Sequence, residues 1–533
     1  MTYACIRPAY AAYAGVVLQP RPMTTVENQP IAVLTKEELE ELVAELQARI
    51  AANLAPYELE SAVCLWLDTL RGIEEIINLT MVEWDDEAFE HQLFGFPVFR
   101  YMQHTDEIQA IRRRLVARFS QKFANRFCNL LFQGSAIAMA FAVNGAVEIA
   151  SRFQNLASMI DYLQSRRRHF VALLHLMPAA CRGSRRVAQQ DTLNIFLPIV
   201  EFSAVPMMGA QYSLMVKLAQ ERLGMADDGN AELAMLDRLY LEPERVSIVE
   251  MPMSDEGRQM LESRESVLPD RLFSAAELRN DILHIEAAYA EFDLRGTDFT
   301  IAASLVRRLS ADHVDRDFWI QISPTALTSL MEAVGASPAL RSALICRAES
   351  YMKCLSSYAP LVLLNGRYLS TVTLLSRFMY SWRARILDRK KRFQIRAGFI
   401  FESRVQIALE EQGFIVQDIV RINRQEFDVV MTRDEVIWNV QCKNNFIDLD
   451  RVDSDATSFA RYNHMLVRSY ERALVKECNR EHLLKQKLSI DAIQHMVVSR
   501  FPVVTDNPRI VVFSRIADFA RRADVLLIRS LRT

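Results

Sequence analysis

The chain is 533 residues long, too long for one hydrophobic core, so two or three domains are expected. Its 63 basic and 66 acidic residues leave a net charge of -3, which excludes a global positive field and makes any nucleic-acid surface a local one. Half of the residues are hydrophobic while Gly is only 15 and Pro 17, which excludes extensive disorder and suits a helix-rich globular protein.

In chain order, residues 1–30 read as a flexible tail, because MTYACIRPAYAAYAGVVLQPRP lacks the basic n-region and Leu-rich run of a signal peptide. The next stretch, 31–389, has a helical pattern, and an all-α region is expected there, with two subdomains split near 224–230 (GMADDGN). TKEELEELVAELQARI carries a capping-box signature at Thr35 and Glu38. Further helices are read in YELESAVCLWLDTL, DEIQAIRRRLVARFSQKF, SAAELRNDILHIEAAYAEF and SPALRSALICRAESYMKCL, while VSIVEMPMSDEG reads as a strand or extended link. The most apolar windows are AIAMAFAVNGAV (Ala136 to Val147) and APLVLLNGRYLSTVTLL (Ala359 to Leu375). The first is too short to span a bilayer and the second is interrupted by Asn365 and Arg367, so both read as buried core helices and no membrane partner is expected.

This long region carries no GxxxxGK[ST], no GxGxxG and no HExxH motif. SRRRH (Ser165 to His169) and RGSRR (Arg182 to Arg186) read as basic helix ends or solvated loops in preference to phosphate grips. His175 and His284 read as core histidines. The eight cysteines, Cys5, Cys64, Cys128, Cys181, Cys346, Cys354, Cys442 and Cys478, form no CxxC pair and no zinc-type spacing, as expected for reduced thiols in a cytoplasmic protein.

After Arg389 the pattern changes, and a separate domain is expected over 390–533. A basic run (RARILDRKKRFQIR) leads into the helix AGFIFESRVQIALEEQGF. The β-like runs FIVQDIV, EFDVVM and VIWNVQC follow, then a long amphipathic helix or helix pair, HMVVSRFPVV, RIVVFS and finally VLLI. EFDVVM and VIWNVQC, joined at Thr432 to Glu435, read as a hairpin whose first strand carries Glu426 and Asp428 on one face. Alternation puts Gln441 and Lys443 on one face of the second strand and Trp438, Val440 and Cys442 on the other. Glu402 borders the apolar stripe of Phe401, Val405, Ala408 and Leu409, so it is positioned to look towards the sheet.

These residues resemble the PD-(D/E)XK nuclease superfamily, in particular its Mrr-like restriction-endonuclease branch. The resemblance rests on the helix GFIFESRV with Glu402, the strand EFDVV with Asp428 and the strand VQCKNN with Gln441 and Lys443, and it covers only the last 140 or so residues. It implies an αβββαβ restriction-endonuclease-like domain, hence an α+β multidomain chain. Gln441 stands where the superfamily usually has an acid, a variant that the Mrr-like branch shares.

The implied activity is Mg²⁺-dependent endonucleolytic hydrolysis of phosphodiester bonds, with Mn²⁺ as a substitute, the substrate being DNA and the setting restriction or phage defence. Glu402, Asp428, Gln441 and Lys443 are the expected catalytic residues. Asp428, Glu402 and the backbone carbonyl of Cys442 are the expected metal ligands, a hard oxygen set suited to Mg²⁺. Lys443 would orient the attacking water, stabilise the transition state or, if neutral, act as base. Arg389, Lys390, Lys391, Arg392, Arg396, Asn444 and Arg461 are the expected nucleic-acid contacts. The partners expected are nucleic acid and, through the helical region, a second copy of the chain or an activating protein. Two alternatives stand beside this reading: an RNA-cleaving nuclease, and a non-catalytic binding or interaction protein with a degenerate nuclease fold.

Overall fold

A computed structural model describes residues 34–82, 84, 86–145, 147–225, 251–265, 273–292, 294–315, 318–445 and 455–530. The expected tail therefore lies outside the described residues, as do residues 226–230 of GMADDGN and 246–250 of VSIVEMPMSDEG. Described residues within Met1–Ala210, Gln259–His284 and Asp298–Met379 form one compact unit. Those within Gln211–Arg258, Ile285–Thr297 and Tyr380–Thr533 form a second. The division near 389 expected from composition thus falls earlier, inside the continuous helix Val372–Leu387, and the second unit recruits two upstream stretches. Long-range packing is the cause. Phe393 meets the rings of Tyr289 and Phe292 at 6.0 and 5.3 Å, the buried Arg383 donates to the Tyr289 hydroxyl, and Lys390 donates to the Phe292 carbonyl at 3.0 Å.

In the first unit, Thr35 N-caps the helix Lys36–Leu54 with the anticipated capping box, and Leu39, Leu42, Leu46, Ile50 and Leu54 form its buried stripe. DEIQAIRRRLVARFSQKF is two helices, Thr105–Arg118 and Gln121–Val143. Phe119 departs from helical backbone angles, and the Ser120 hydroxyl caps the second helix by accepting from Phe123 N–H at 3.0 Å. Gln121–Val143 and Gln189–Leu223 are long and apolar enough to cross a membrane, and 50% and 61% of the respective windows are buried inside the fold. The SRRRH arginines are neither solvated nor free for phosphate. Arg167 makes a buried bidentate pair with Glu74 at 2.7 and 2.5 Å, Arg166 holds Glu201 at 2.7 Å, and Arg168 donates to the Leu355 carbonyl at 3.2 Å.

This region is not all-α. Val314–Asp315, Trp319–Ile322, Arg367–Thr371 and Val362–Leu364 pair in that order as a four-stranded antiparallel sheet. The window Ala359 to Leu375, expected to be a core helix, is instead a β-hairpin followed by the start of the helix Val372–Leu387. Its turn is Asn365-Gly366, both at positive φ (46° and 74°), the dipeptide that a tight type I′ hairpin requires. SPALRSALICRAESYMKCL likewise breaks into Pro338–Leu344 and Tyr351–Leu355, because Ile345 turns extended and bridges Leu361.

The second unit is built on a five-stranded mixed sheet. Its elements are helix α1 (Lys391–Glu410), strands β1 (Ile415–Gln417), β2 (Val429–Arg433) and β3 (Val436–Lys443), the long helix α2 (Ala456–Leu488), strands β4 (Ala492–Ser499) and β5 (Ile510–Val512), and helix α3 (Phe519–Ser530). The strand order is β5-β4-β3-β2-β1. β1, β2 and β3 form an antiparallel meander, while α2 carries the chain back so that β4 lies parallel to β3 and β5 parallel to β4. Phe401, Val405 and Leu409 of α1 and Phe519, Ala523 and Leu526 of α3 cover one sheet face, packing on Met431, Trp438, Val440, Met496 and Val498. On the opposite face Leu484 of α2 packs with Phe427, Val430 and Ile437.

The last apolar run, VLLI, lies within α3. Glu426 and Asp428, expected on the first strand of the hairpin, are not on β2. Glu426 belongs to a two-residue ribbon, Gln425–Glu426 paired with Arg421–Ile422, where it forms an exposed ion pair with Arg421, and β2 begins only at Val429. The β2–β3 turn places Asp434 and Glu435 both at positive φ (54° and 58°) without a glycine. A left-handed non-glycine residue costs about 1–2 kcal/mol. Glu435→Gly is therefore expected to stabilise the second unit by about 1 kcal/mol in urea denaturation, and an unchanged or lower midpoint would contradict the strain.

Candidate metal and phosphodiester site

The end of the sheet where β3 runs on past β2, still paired with β4, gathers the polar residues. Val429 pairs with Val440, so continuing that register one step sets Asp428 beside Gln441. There the β2 ladder has ended, and the Cys442 N–H, with no strand partner left on that side, donates to Asp428 Oδ2 at 2.8 Å. A strand residue directs its N–H and C=O to the same side, so the Cys442 carbonyl also faces Asp428. The Lys443 carbonyl faces the other way and accepts from Arg500 N–H at 2.9 Å.

Gln441 is buried at 9% exposure, and its Oε1 accepts from Lys443 Nζ at 3.0 Å. The amide thus steers the ammonium without adding a negative charge. Glu402 comes from the middle of α1, one residue past the fully buried Phe401. Burial raises its carboxyl to about 7, and the neighbouring Asp428 and Glu426 add to the rise while Lys443 opposes it. Asp428 is also raised by burial, against the Cys442 N–H and the Lys443 ammonium, which favour its anion. Burial and the two carboxylates push the Cys442 thiol well up, so it stays protonated and has no nucleophilic part here.

Beneath this edge, on the α2 face, lies a buried polar row for which the sequence reading gave no role. Asn439 donates to Glu477 Oε2 at 2.8 Å and lies 3.1 Å from His495 Nδ1, while Glu477 accepts from Arg480 at 2.8 and 2.5 Å. Asn439 alternating with Ile437 and Gln441 on an otherwise apolar strand was the available signal. Arg500, directly after β4, stacks over Phe401 at 4.8 Å and is a further cation at this end of the sheet.

No family model, curated protein or solved structure matches the chain.

The site therefore stands on its own geometry. Glu402, Asp428, Gln441, Lys443 and the Cys442 backbone come together; the cations named for substrate are more dispersed. Lys391 and Arg392 open α1, about 15 Å from Glu402 along the helix axis at 1.5 Å per residue. Arg389 is exposed just before them, whereas Lys390 is bonded to the Phe292 carbonyl and Arg396 lies 3.4 Å from Glu291. Arg461, 59% exposed, rests 4.0 Å from the α2 N-cap Asp455. The side-chain amide of Asn444 is buried and meets no hydrogen-bond partner among the described residues, while Asn445 accepts from Tyr470 at 2.9 Å.

Among the described residues no group of three or more His, Cys, Asp or Glu side chains could hold a metal. Two carboxylates and one carbonyl fit a different type of site, a Mg²⁺ ion that keeps several waters and completes its shell with substrate phosphate. Both carboxyls are raised by burial, Glu402 further by Asp428, which suits such a site because a cation would favour the anions that burial disfavours.

A pH dependence follows. A carboxyl raised in the fold from 4.5 to about 7 favours folding below its unfolded value, and that contribution is lost as pH rises through 7, where burial of the anion becomes unfavourable. Glu402→Gln is expected to raise the thermal midpoint at pH 8 and leave it nearly unchanged at pH 4. Mg²⁺ should stabilise the wild type at pH 8 more than this variant. Equal shifts of the midpoint at both pH values would refute the assignment.

Proposed function

We propose that the second unit hydrolyses phosphodiester bonds in nucleic acid, DNA in preference to RNA, with Mg²⁺ as cofactor and Mn²⁺ as its substitute. The observation that carries the reading is the convergence of Glu402 and Asp428, two half-buried carboxyls of raised pKa, with Lys443 at one end of the sheet. The order α1-β1-β2-β3-α2-β4 supports it, being that of the restriction-endonuclease-like fold of the PD-(D/E)XK superfamily which the sequence resembles.

Asp428, Glu402 and the Cys442 carbonyl would hold the cation, which when bound supplies Lewis-acid stabilisation of phosphoryl charge and a more acidic water. The chain's own groups do the rest. The Cys442 N–H fixes one Asp428 oxygen and so leaves the other free to turn outward. Gln441 holds the Lys443 ammonium, which places a positive charge beside the carboxylates where an attacking water and the transferring phosphoryl oxygens would sit. Exposed Arg389, Lys391 and Arg392 give the phosphate backbone a basic stretch to follow towards the edge. Cutting of foreign DNA is the setting that the Mrr-like resemblance suggests.

The test is direct. Purified protein is incubated with supercoiled plasmid, linear duplex, single-stranded DNA and RNA, each with Mg²⁺, Mn²⁺ or EDTA. Metal-dependent nicking of DNA that EDTA stops is the expected result. Cleavage of RNA alone would move the substrate class, and retention of nucleic acid without cleavage under any metal would favour the binding-module alternative.

A further inference from the structure

Helix α1 has an outer face that the hydrolytic groups do not use. Phe393, Ala397, Phe401, Val405 and Leu409, four residues apart, are its buried row. Opposite that row stand Ile395 and Phe399, 51% and 55% exposed. They are large apolar side chains one turn apart, in a stretch from Lys391 to Ser403 whose other exposed residues are all polar.

Helical spacing ties the pair to the site. Phe399 precedes Glu402 by three residues, Gly398 by four and Ile395 by seven, so the three share the face that leads to Glu402. At 1.5 Å per residue, Phe399 lies about 4.5 Å before Glu402 along the axis and Ile395 about 10.5 Å before it. The exposed Arg392 stands three residues before Ile395 and seven before Phe399, with exposed Lys391 beside it. The stripe thus begins with cations, continues as apolar surface and ends at a carboxyl of the candidate site.

Gly398 is an independent sign. A glycine inside a helix weakens it relative to alanine, and its use there is to let another group come close to the backbone. Nothing inside the fold asks for that room, since a methyl group on Gly398 would meet no atom within 4 Å. The free space lies on the outside, one turn before Glu402.

Charge decides what fits. Lys391 and Arg392 attract phosphate, and a nucleobase joined to that phosphate offers a flat apolar face on which a phenyl ring stacks, so one strand of nucleic acid satisfies both parts of the stripe. In a continuous duplex those base faces are covered by their neighbours. We propose, building on the phosphodiester reading of the site, that Phe399 with Ile395 stacks an unpaired base of a DNA strand about one or two nucleotides from the bond to be cut. Gly398 lets the sugar–phosphate chain lie against α1, and strands with unpaired bases are taken ahead of continuous duplex. Phe399 is then a positioning residue that selects the structure of the substrate.

The experiment measures binding in EDTA, where nothing is cut, so that it stands apart from the hydrolase reading. The full chain is titrated onto single-stranded DNA carrying 2-aminopurine and onto the same label within a continuous duplex. Wild type should quench the single strand by stacking and bind it more tightly than the duplex. Phe399→Ala, an exposed position whose fold circular dichroism checks, should weaken single-strand binding by about tenfold and remove the quenching, while Phe399→Tyr keeps both. The dependence of affinity on salt should not change in Phe399→Ala, because no charge is lost. Gly398→Ala should raise the urea midpoint of the second unit and still weaken binding, a combination that a purely structural glycine does not give. If these results appear and Mg²⁺ brings no cleavage, the inference holds and only the hydrolase reading falls. Absence of quenching in wild type, quenching that survives in Phe399→Ala, or quenching of an RNA strand alone would overturn the inference. So would unchanged binding in Phe399→Ala together with conversion of a wild-type dimer to monomer in sedimentation, which would assign the face to a second copy of the chain.

Discussion

Asp428→Asn is expected to lower metal-dependent cleavage by about a thousandfold or more while leaving the fold intact. The amide oxygen can still accept the Cys442 N–H that Asp428 Oδ2 takes at 2.8 Å, so the strand edge keeps its hydrogen bond. What disappears is the anionic charge, and loss of one preorganised electrostatic group at a phosphoryl centre costs about 10² to 10³ in rate even where no metal is displaced. Lys443→Ala should fall in the lower part of that range and should not be rescued by more metal, because its ammonium is held by Gln441 and is not a ligand. Nicking of supercoiled plasmid at saturating Mg²⁺, with circular dichroism to check the fold, measures both. Affinity for nucleic acid in EDTA should be unchanged or higher in Asp428→Asn, since a negative charge has gone. A variant that cuts as fast as wild type would remove Asp428 from the chemistry and the hydrolase reading with it.

The second large effect concerns stability. Glu477 is 1% exposed and binds both Arg480 and Asn439, themselves 8% and 0% exposed. Glu477→Ala leaves a guanidinium buried without its anion, a situation that costs about 3–5 kcal/mol. The loss should appear in urea denaturation as a lower midpoint for the second unit. Glu477→Leu combined with Arg480→Met should recover most of it, because the desolvated charge is then gone from both sides. A cost of less than about 1 kcal/mol for the single change would mean that water reaches the pair. Glu477 and Arg480 also act on Asp428 with opposite signs, Glu477 raising its carboxyl and Arg480 lowering it. In Glu477→Ala the arginine acts alone, and Asp428 should ionise more readily.

Much of the second unit was legible because strand alternation and turn position are local. Trp438, Val440 and Cys442 face α1 while Ile437, Asn439 and Gln441 face α2, as a period of two demands. The turn at Asp434-Glu435 then sets the β2–β3 register without reference to the rest of the chain. Elsewhere local signals were outweighed. The apolar run from Ala359 to Leu375 is dense enough to pass for a core helix, although Asn365-Gly366 at its centre marks a hairpin. VLLI is too short for periodicity to separate helix from strand, and packing on Trp438 and Phe414 through Phe519 settled it as helix. Glu426 left β2 because pairing with Arg421–Ile422 diverts the chain before the strand begins.

By itself, then, the sequence determined the elements whose cause lies within a few residues: the Thr35 capping box, the β2–β3 hairpin, and the sharing of one face by Gln441 and Lys443. Tertiary structure alone decided what depends on burial and distant partners. It closed Arg166 and Arg167 of SRRRH into ion pairs with Glu201 and Glu74, buried Arg383 against Tyr289, and half-buried Glu402 and Asp428 so that desolvation raises both carboxyls. The physical reason is that charge and hydrogen-bonding capacity are written into residue type, whereas their free energy is set by the water they lose and the groups they meet, and those are fixed only when distant segments pack.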